Sequence, residues 1–172
     1  MLQLISLVMV VYSYFLIQTN LPKLPRSIPT HFNAAGVADG WGSPDTLWLL
    51  LGVQAFTCVV FLIVPYVGQR FPGAIHVGSR RLSDFSPAQR ARMLPMLNDM
   101  VAYLCIVMNL FFVLMLRAII QAAAQPFPHI QVFWPLGLFV GGTLGITLYY
   151  LVQFRRAAKG GGDGDLPNDL TP

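Results

Sequence analysis

The stretch TLWLLLGVQAFTCVVFLIVPYV, residues 46–67, contains no charged residue. An α-helix rises about 1.5 Å per residue, so about 20 apolar residues can cross a hydrocarbon core of about 30 Å. Three further long apolar runs lie at about residues 1–17, 96–120 and 132–154. Only a helix or a closed barrel satisfies its backbone hydrogen bonds in hydrocarbon. We therefore predict an all-α integral membrane protein with four transmembrane helices.

The composition favours the same class of protein. Of the 172 residues, 55% are hydrophobic and 10% charged, whereas a soluble domain carries roughly a quarter charged residues. The mean hydropathy is +0.61. The apolar runs occupy most of a single predicted domain, residues 1–155, which leaves no room for a separate soluble catalytic domain. The first run lacks a basic n-region and a small-residue cleavage site, so we expect it to be a retained helix.

The distribution of Lys and Arg predicts the orientation. The segment 68–95 holds five arginines and the C-terminal end adds further basic residues, whereas the segment 121–131 holds none. By the positive-inside rule we expect both termini and the loop 68–95 to be cytoplasmic, in a bacterial inner membrane. Residues 156–172 are predicted to form a disordered cytoplasmic tail. The net charge of +4 then indicates contact with the lipid bilayer and requires no nucleic acid.

The first outward segment, residues 20–45, is termed the cap. Its centre reads IPTHFNAAGVADGWG, residues 28–42. Prolines fix several φ angles and glycines supply turns, so we predict an ordered structure rather than a passive linker. Ile28, Phe32 and Trp41 are expected to pack onto the helix ends. The candidate ligand-binding residues of the cap are His31, Phe32, Asn33, Gly36, Asp39 and Trp41.

The order of a helix, LP, IPTHFNAAGVADGWGS and a second helix resembles the DUF1648 family, the N-terminal domain of SdpI-like immunity and signalling membrane proteins of bacteria. The later segment LSDFSPAQRARMLPMLNDM is similar to the cytoplasmic segment of that family, which extends the resemblance over about residues 1–120. The best-known relatives protect their producer from a secreted toxic peptide and relay its presence to a repressor. The resemblance therefore implies a non-catalytic protein that receives an extracellular peptide or serves immunity-related signalling.

A metal-dependent membrane enzyme is the alternative that the polar residues leave open. His31, Asp39 and His129, which lies on the other outward loop, offer the nitrogen and oxygen ligands of an open zinc site. Their spacing matches no established metal motif, and Asn33 and Asp39 suit turns beside glycine. No catalytic motif is recognisable in the sequence. We predict no catalytic residue, no metal and no cofactor.

The apolar runs also carry packing signals. Gly137, Gly141 and Gly145 recur every four residues and line one face of the fourth helix. Such a face permits close packing within the four-helix bundle, with a homodimer or another membrane-protein partner as the alternatives. The same face supports a second functional hypothesis, a small accessory subunit of a larger membrane complex. Asn109, in the middle of the third run, is predicted to form a hydrogen bond between helices.

Overall fold

The computed structural model describes residues 2–159, and these residues are mostly helical. Four helices are long and apolar enough to cross a membrane. Their bounds are α1 Leu2–Asn20, α2 Thr46–Arg70, α3 Pro87–Ala123 and α4 Phe133–Lys159. Short 3₁₀ turns lie at Leu21–Lys23, Pro72–Ala74 and Leu82–Asp84. The prediction of four long apolar helices is confirmed.

The all-α description is incomplete, because two antiparallel hairpins join the helices. β1 Ile28–Phe32 pairs with β2 Ala38–Gly42 in the cap, and β3 His76–Val77 pairs with β4 Arg80–Arg81 before α3. The prolines and glycines of the cap interrupt the period-two alternation that indicates a strand. The pattern therefore predicted order in this segment without indicating a sheet.

Each helix ends beyond its predicted apolar run, and α3 begins before its run, at Pro87, as the Ser, Pro and Gln of SPAQ, residues 86–89, predict. At the end of α1, the Asn20 side-chain amide donates to the Leu16 backbone carbonyl oxygen at 2.7 Å, which adds a side-chain hydrogen bond to the last turn of the helix. At the start of α3, the Ser86 hydroxyl accepts from the Gln89 amide while the Gln89 side chain accepts from the Ser86 amide, a capping box. Residues 156–159, predicted to belong to the tail, lie in α4. The rest of the predicted tail, residues 160–172, lies outside the described residues.

α3 is the central helix, since it packs against α1, α2 and α4. In the most apolar stretch of α3, 33% of the residues are buried inside the structure, whereas the corresponding share is 11–17% in the other three helices. Two apolar cores lie at opposite ends of the bundle. The core at the cap end comprises Ile17, Ile28, Leu47, Leu116, Ile119 and Ile120. The core at the other end comprises Leu82, Phe85, Met93, Leu97, Val101, Tyr150, Phe154 and Ala157.

A polar contact lies inside the bundle between the two cores. The side-chain amide of Gln54 on α2 donates to the side-chain carbonyl oxygen of Asn109 on α3 at 3.1 Å. The Asn109 amide in turn donates to the Cys105 carbonyl oxygen at 2.9 Å. Gln54 and Asn109 are both fully buried, so each stabilises the other in a region without water. Cys58 and Cys105 lie beside this contact as free thiols, with their sulfurs 4.0 Å apart.

Among the described residues, none packs closely against the glycine face of α4, which is formed by Gly137, Gly141 and Gly145. A Cβ atom added to Gly137, Gly141 or Gly145 would meet no atom within 4 Å. The neighbouring Gly142 makes the close approach instead, because its Cβ would lie 3.4 Å from a methyl group of Val107 on α3. The four-residue repeat identified a shared face correctly, but α3 lies against a different side of α4. The interpretation as packing within the bundle is therefore wrong.

Candidate functional site

The cap is a short, irregular hairpin. Ile28 lies opposite Gly42, Pro29 opposite Trp41 and His31 opposite Gly40, with register shifts on both sides of His31. These bulges arise where Pro29 lacks an amide hydrogen and cannot complete the ladder. A Cβ atom on Gly40 would lie 2.7 Å from the Cβ of His31. Glycine at position 40 therefore allows the two strands to approach at this pair.

The turn between β1 and β2 is formed by Asn33. Its side-chain carbonyl oxygen accepts from the amides of Ala35 at 2.9 Å and Val37 at 3.1 Å. Its own backbone amide donates to the Val37 carbonyl oxygen at 2.9 Å. Gly36 completes the turn with φ +79°, a conformation that is costly for residues with a Cβ. Asn33 and Gly36, predicted as ligand-binding candidates, thus hold the shape of the cap.

The α3–α4 loop, residues 124–132, pairs with this turn. The Ile130 amide donates to the Gly36 carbonyl oxygen at 2.9 Å, and the Ala38 amide donates to the Pro128 carbonyl oxygen at 3.2 Å. Val37 and His129 form a β-bridge between these two hydrogen bonds. The loop therefore attaches the cap to the second half of the chain. Sequence reasoning placed His129 on the same side as the cap but did not predict this pairing, because no periodicity links segments so distant in sequence.

His31 and Asp39 face each other across the hairpin. The His31 Nδ1 atom lies 2.5 Å from the Asp39 Oδ1 atom, and the two side chains are 73% and 44% exposed. A pair this exposed contributes little to stability, because water and salt screen the attraction. The pair instead fixes the orientation of an imidazole and a carboxylate on the surface of the cap. These two candidates lie side by side on the exposed surface of the cap.

The three metal-ligand candidates do not assemble into one site. The His129 Nε2 atom lies 3.2 Å from the Ala35 carbonyl oxygen, so its ring contacts the turn, whereas His31 pairs with Asp39. Within residues 2–159, no group of three His, Cys, Asp or Glu side chains is placed to hold a metal ion. The protein ligands that a zinc site requires are thus not brought together by the described part of the chain.

Of the apolar residues of the cap, some are buried and anchor it to the helices, and others lie on its surface. Ile28 is fully buried in the core at the cap end, and Phe32 packs against that core while half-buried. Trp41 is 54% exposed, which contradicts the expectation that it packs down onto the helix ends. It lies opposite Pro29 near the end of the hairpin. Ile28 is therefore the anchor of the cap, and Trp41 is a surface aromatic.

Comparison with known proteins bears on this same part of the molecule. Residues 4–55 match the domain of unknown function DUF1648, so the chain resembles that family over α1, the cap and the first turns of α2. No curated protein and no solved structure matches the chain. The predicted resemblance to the family is thus confirmed for the segment that carries the cap. Its extension to residue 120 stays a prediction.

Proposed function

We propose that the chain is a non-catalytic, multi-pass protein of a bacterial inner membrane that receives an extracytoplasmic peptide through its cap. Both termini are cytoplasmic in this proposal, and the cap lies on the outer side. The role is reception in immunity-related signalling. The observation that carries the proposal is the hydrogen-bonded pairing of the cap with the α3–α4 loop, which makes the cap a rigid element joined to all four helices.

The surface of the cap has the chemistry of a peptide-binding site. An exposed tryptophan is among the residues that contribute most to binding between proteins, and a fixed imidazole–carboxylate pair offers both donors and acceptors. Trp41, His31 and Asp39 present these groups on a hairpin that is held by its own strand pairing. A surface ordered in advance loses less conformational entropy when it binds. The cap thus suits recognition better than catalysis.

The attachment of the cap supplies a route to the rest of the molecule. Ile28 lies in one core with Ile17 of α1, Leu47 of α2 and Leu116 of α3. The α3–α4 loop joins the turn of the cap on its other side. A peptide that shifts the hairpin therefore acts on the ends of the helices directly. Close-packed contacts of this kind favour discrete rearrangement over gradual deformation, as signalling requires.

Survival assays test the proposed reception. Cells that express the wild-type chain are exposed to the secreted peptides of the source bacterium, and protection is compared with that given by Trp41→Ala. Tyr66→Ala is the matched control, because Tyr66 is a similarly exposed aromatic, 66% against 54%, in the second half of α2. We expect Trp41→Ala to lose protection at equal membrane abundance and Tyr66→Ala to retain it. Full protection by Trp41→Ala, or no protection by the wild type, would contradict reception through the cap.

Cysteine labelling tests the proposed orientation. The native cysteines Cys58 and Cys105 are buried, so they give little background with a membrane-impermeant thiol reagent. We expect intact cells to be labelled at Ala38→Cys and Gln125→Cys but not at Ser83→Cys, which lies before α3. Labelling of Ser83→Cys in intact cells, without labelling of the other two, would reverse the orientation.

An accessory subunit of a larger membrane complex is the second candidate function. The open glycine face of α4 favours it, because among residues 2–159 nothing would lie within 4 Å of a Cβ added to these glycines, and small residues allow a foreign helix to approach closely. Copurification at native abundance separates the two functions. A stable partner that is lost in Gly141→Leu would favour the accessory subunit, and a chain that purifies alone would favour reception.

A further inference from the structure

A groove of about 500 Å³ opens between the cap-end halves of α3 and α4 and the α3–α4 loop. Ligand sites in proteins are concave spaces of about this size with a few convergent polar groups. The polar side chains here are Arg117 and Gln121 of α3, Gln125, His129 and Gln131 of the loop, and Trp134 in the first turn of α4.

Helical spacing brings the donors of α3 together. Arg117 and Gln121 are four residues apart and therefore lie on one face of the helix. Gln125 lies two residues after the end of α3 at Ala123 and lines the same groove. The wall opposite begins with α4 at Phe133, so the groove lies at the positive end of the α4 dipole. The Arg117 charge and this positive end thus favour a negatively charged ligand, against the negative end of the α3 dipole at Ala123.

Four side chains in this groove have no partner within the described part of the chain. The side chains of Arg117, Gln121, Gln125 and Gln131 make no hydrogen bond or ion pair with any residue from 2 to 159. No Asp or Glu lines the groove. A guanidinium group carries five N–H donors in a planar fork that matches the oxygens of a phosphate. The groove therefore presents a positive charge and several donors with no competing carboxylate.

The depth of Arg117 identifies the source of the anion. It lies six residues before the end of α3, about 9 Å along the helix axis, where an apolar spanning helix passes from hydrocarbon to water. Leu114, Ala118 and Pro135 form the apolar part of the same groove and belong to the two spanning helices. We propose that the groove binds one lipid with a net negative headgroup, its phosphate on Arg117 and the glutamines and its acyl chain against the apolar residues. This site does not depend on what the cap receives.

The absence of a carboxylate from the lining favours an anionic lipid over a zwitterionic one. The ammonium group of a zwitterionic headgroup finds no acidic partner among the lining residues and lies close to the Arg117 charge, which repels it. A glycerol headgroup carries no charge and offers hydroxyls to the glutamine amides. Phosphatidylglycerol is therefore the matched probe, and phosphatidylethanolamine with the same acyl chains is the comparison.

Native mass spectrometry of the full chain in detergent tests this site. We expect phosphatidylglycerol to bind at a stoichiometry of one at least tenfold more tightly than phosphatidylethanolamine, and Arg117→Gln to weaken it about tenfold, as the loss of one charge-assisted contact predicts. Arg26→Gln is the matched control, because Arg26 is an exposed arginine in the cap and its loss removes the same charge. We expect this control to bind as the wild type does.

Three results would overturn the proposal. Equal binding of the two lipids would show that the groove does not select a net negative headgroup. Equal losses of lipid affinity in Arg117→Gln and Arg26→Gln would show that only the overall charge of the protein matters. Displacement of the lipid by excess inorganic phosphate would assign the groove to the free anion. If Arg117→Gln does not fold, Arg117→Lys keeps the charge but loses the planar fork. That variant is expected to bind more weakly than the wild type, and wild-type affinity in it would equally contradict the assignment.

Discussion

Replacing Gly36 by alanine tests whether the cap is held by the α3–α4 loop. Gly36 has φ +79°, and an L-residue with a Cβ in this conformation costs about 1–2 kcal/mol. The added Cβ would also lie 2.1 Å from the Ile130 carbonyl oxygen, so the loop must move away. That movement breaks the pairing of the cap with Pro128 and Ile130, two hydrogen bonds of about 1 kcal/mol net each. We expect Gly36→Ala to lower the free energy of unfolding by about 3–4 kcal/mol.

Gly78 provides the matched control. It also has positive φ, +66°, but a Cβ added there would meet no atom within 4 Å. Gly78→Ala therefore carries the conformational cost of about 1–2 kcal/mol without a clash. The difference between the two variants isolates the contribution of the pairing between the cap and the loop.

A thiol-reactive fluorophore gives the measurement, because Cys58 and Cys105 are buried and react only when the bundle opens. We expect the melting temperature in detergent to fall by about 10 °C in Gly36→Ala and by about 5 °C in Gly78→Ala, if 1 kcal/mol corresponds to roughly 2–4 °C at this size. Hydrogen exchange at the Ala38 and Ile130 amides should accelerate only in Gly36→Ala. Equal melting shifts with unchanged exchange at these two amides would refute the pairing.

Three further predictions concern anchoring, helix packing and the buried polar contact. Ile28→Ala should lower the free energy of unfolding by about 2–5 kcal/mol, as for other fully buried residues. Trp41→Ala should lower it by under about 1 kcal/mol, because the Trp41 ring is half exposed. If thermal melting shows the larger loss in Trp41→Ala, Ile28 is not the residue that anchors the cap. Gly142→Leu should destabilise the chain through its close approach to α3, whereas Gly141→Leu should leave the melting temperature of the isolated chain unchanged; equal loss in both would mean that the glycine face packs internally. Asn109→Leu should lower the free energy of unfolding by about 1 kcal/mol, because it leaves the side-chain amide of Gln54 unpaired. A double-mutant cycle between Gln54 and Asn109 should give a coupling energy of similar size, and a coupling energy of zero would contradict the contact.

The local signals in the sequence were sufficient for the helices and for several of their ends. An apolar run of membrane length has few other ways to satisfy its backbone in hydrocarbon, so the four helices follow directly from residues 46–67 and the three similar runs. The Ser86–Gln89 capping box joins two residues that are three positions apart, so the sequence alone predicts it. The same holds for the turn at Asn33, which bonds amides only two and four residues further on.

Only the tertiary structure decided which side of each helix is covered and which distant segments meet. Inside an apolar run, a lipid and a neighbouring helix select the same residues, so periodicity does not mark the buried face; Gly141 and Gly142 are adjacent, and only Gly142 lies against α3. The exposure of Trp41 depends in the same way on where the helix ends lie. The pairing of the cap with residues 128–130 joins segments about 90 residues apart, as His129 and Ala35 show with a separation of 94. This pairing is formed by backbone hydrogen bonds. Because nearly every residue has the same backbone donor and acceptor, the pattern of side chains could not predict which two segments pair.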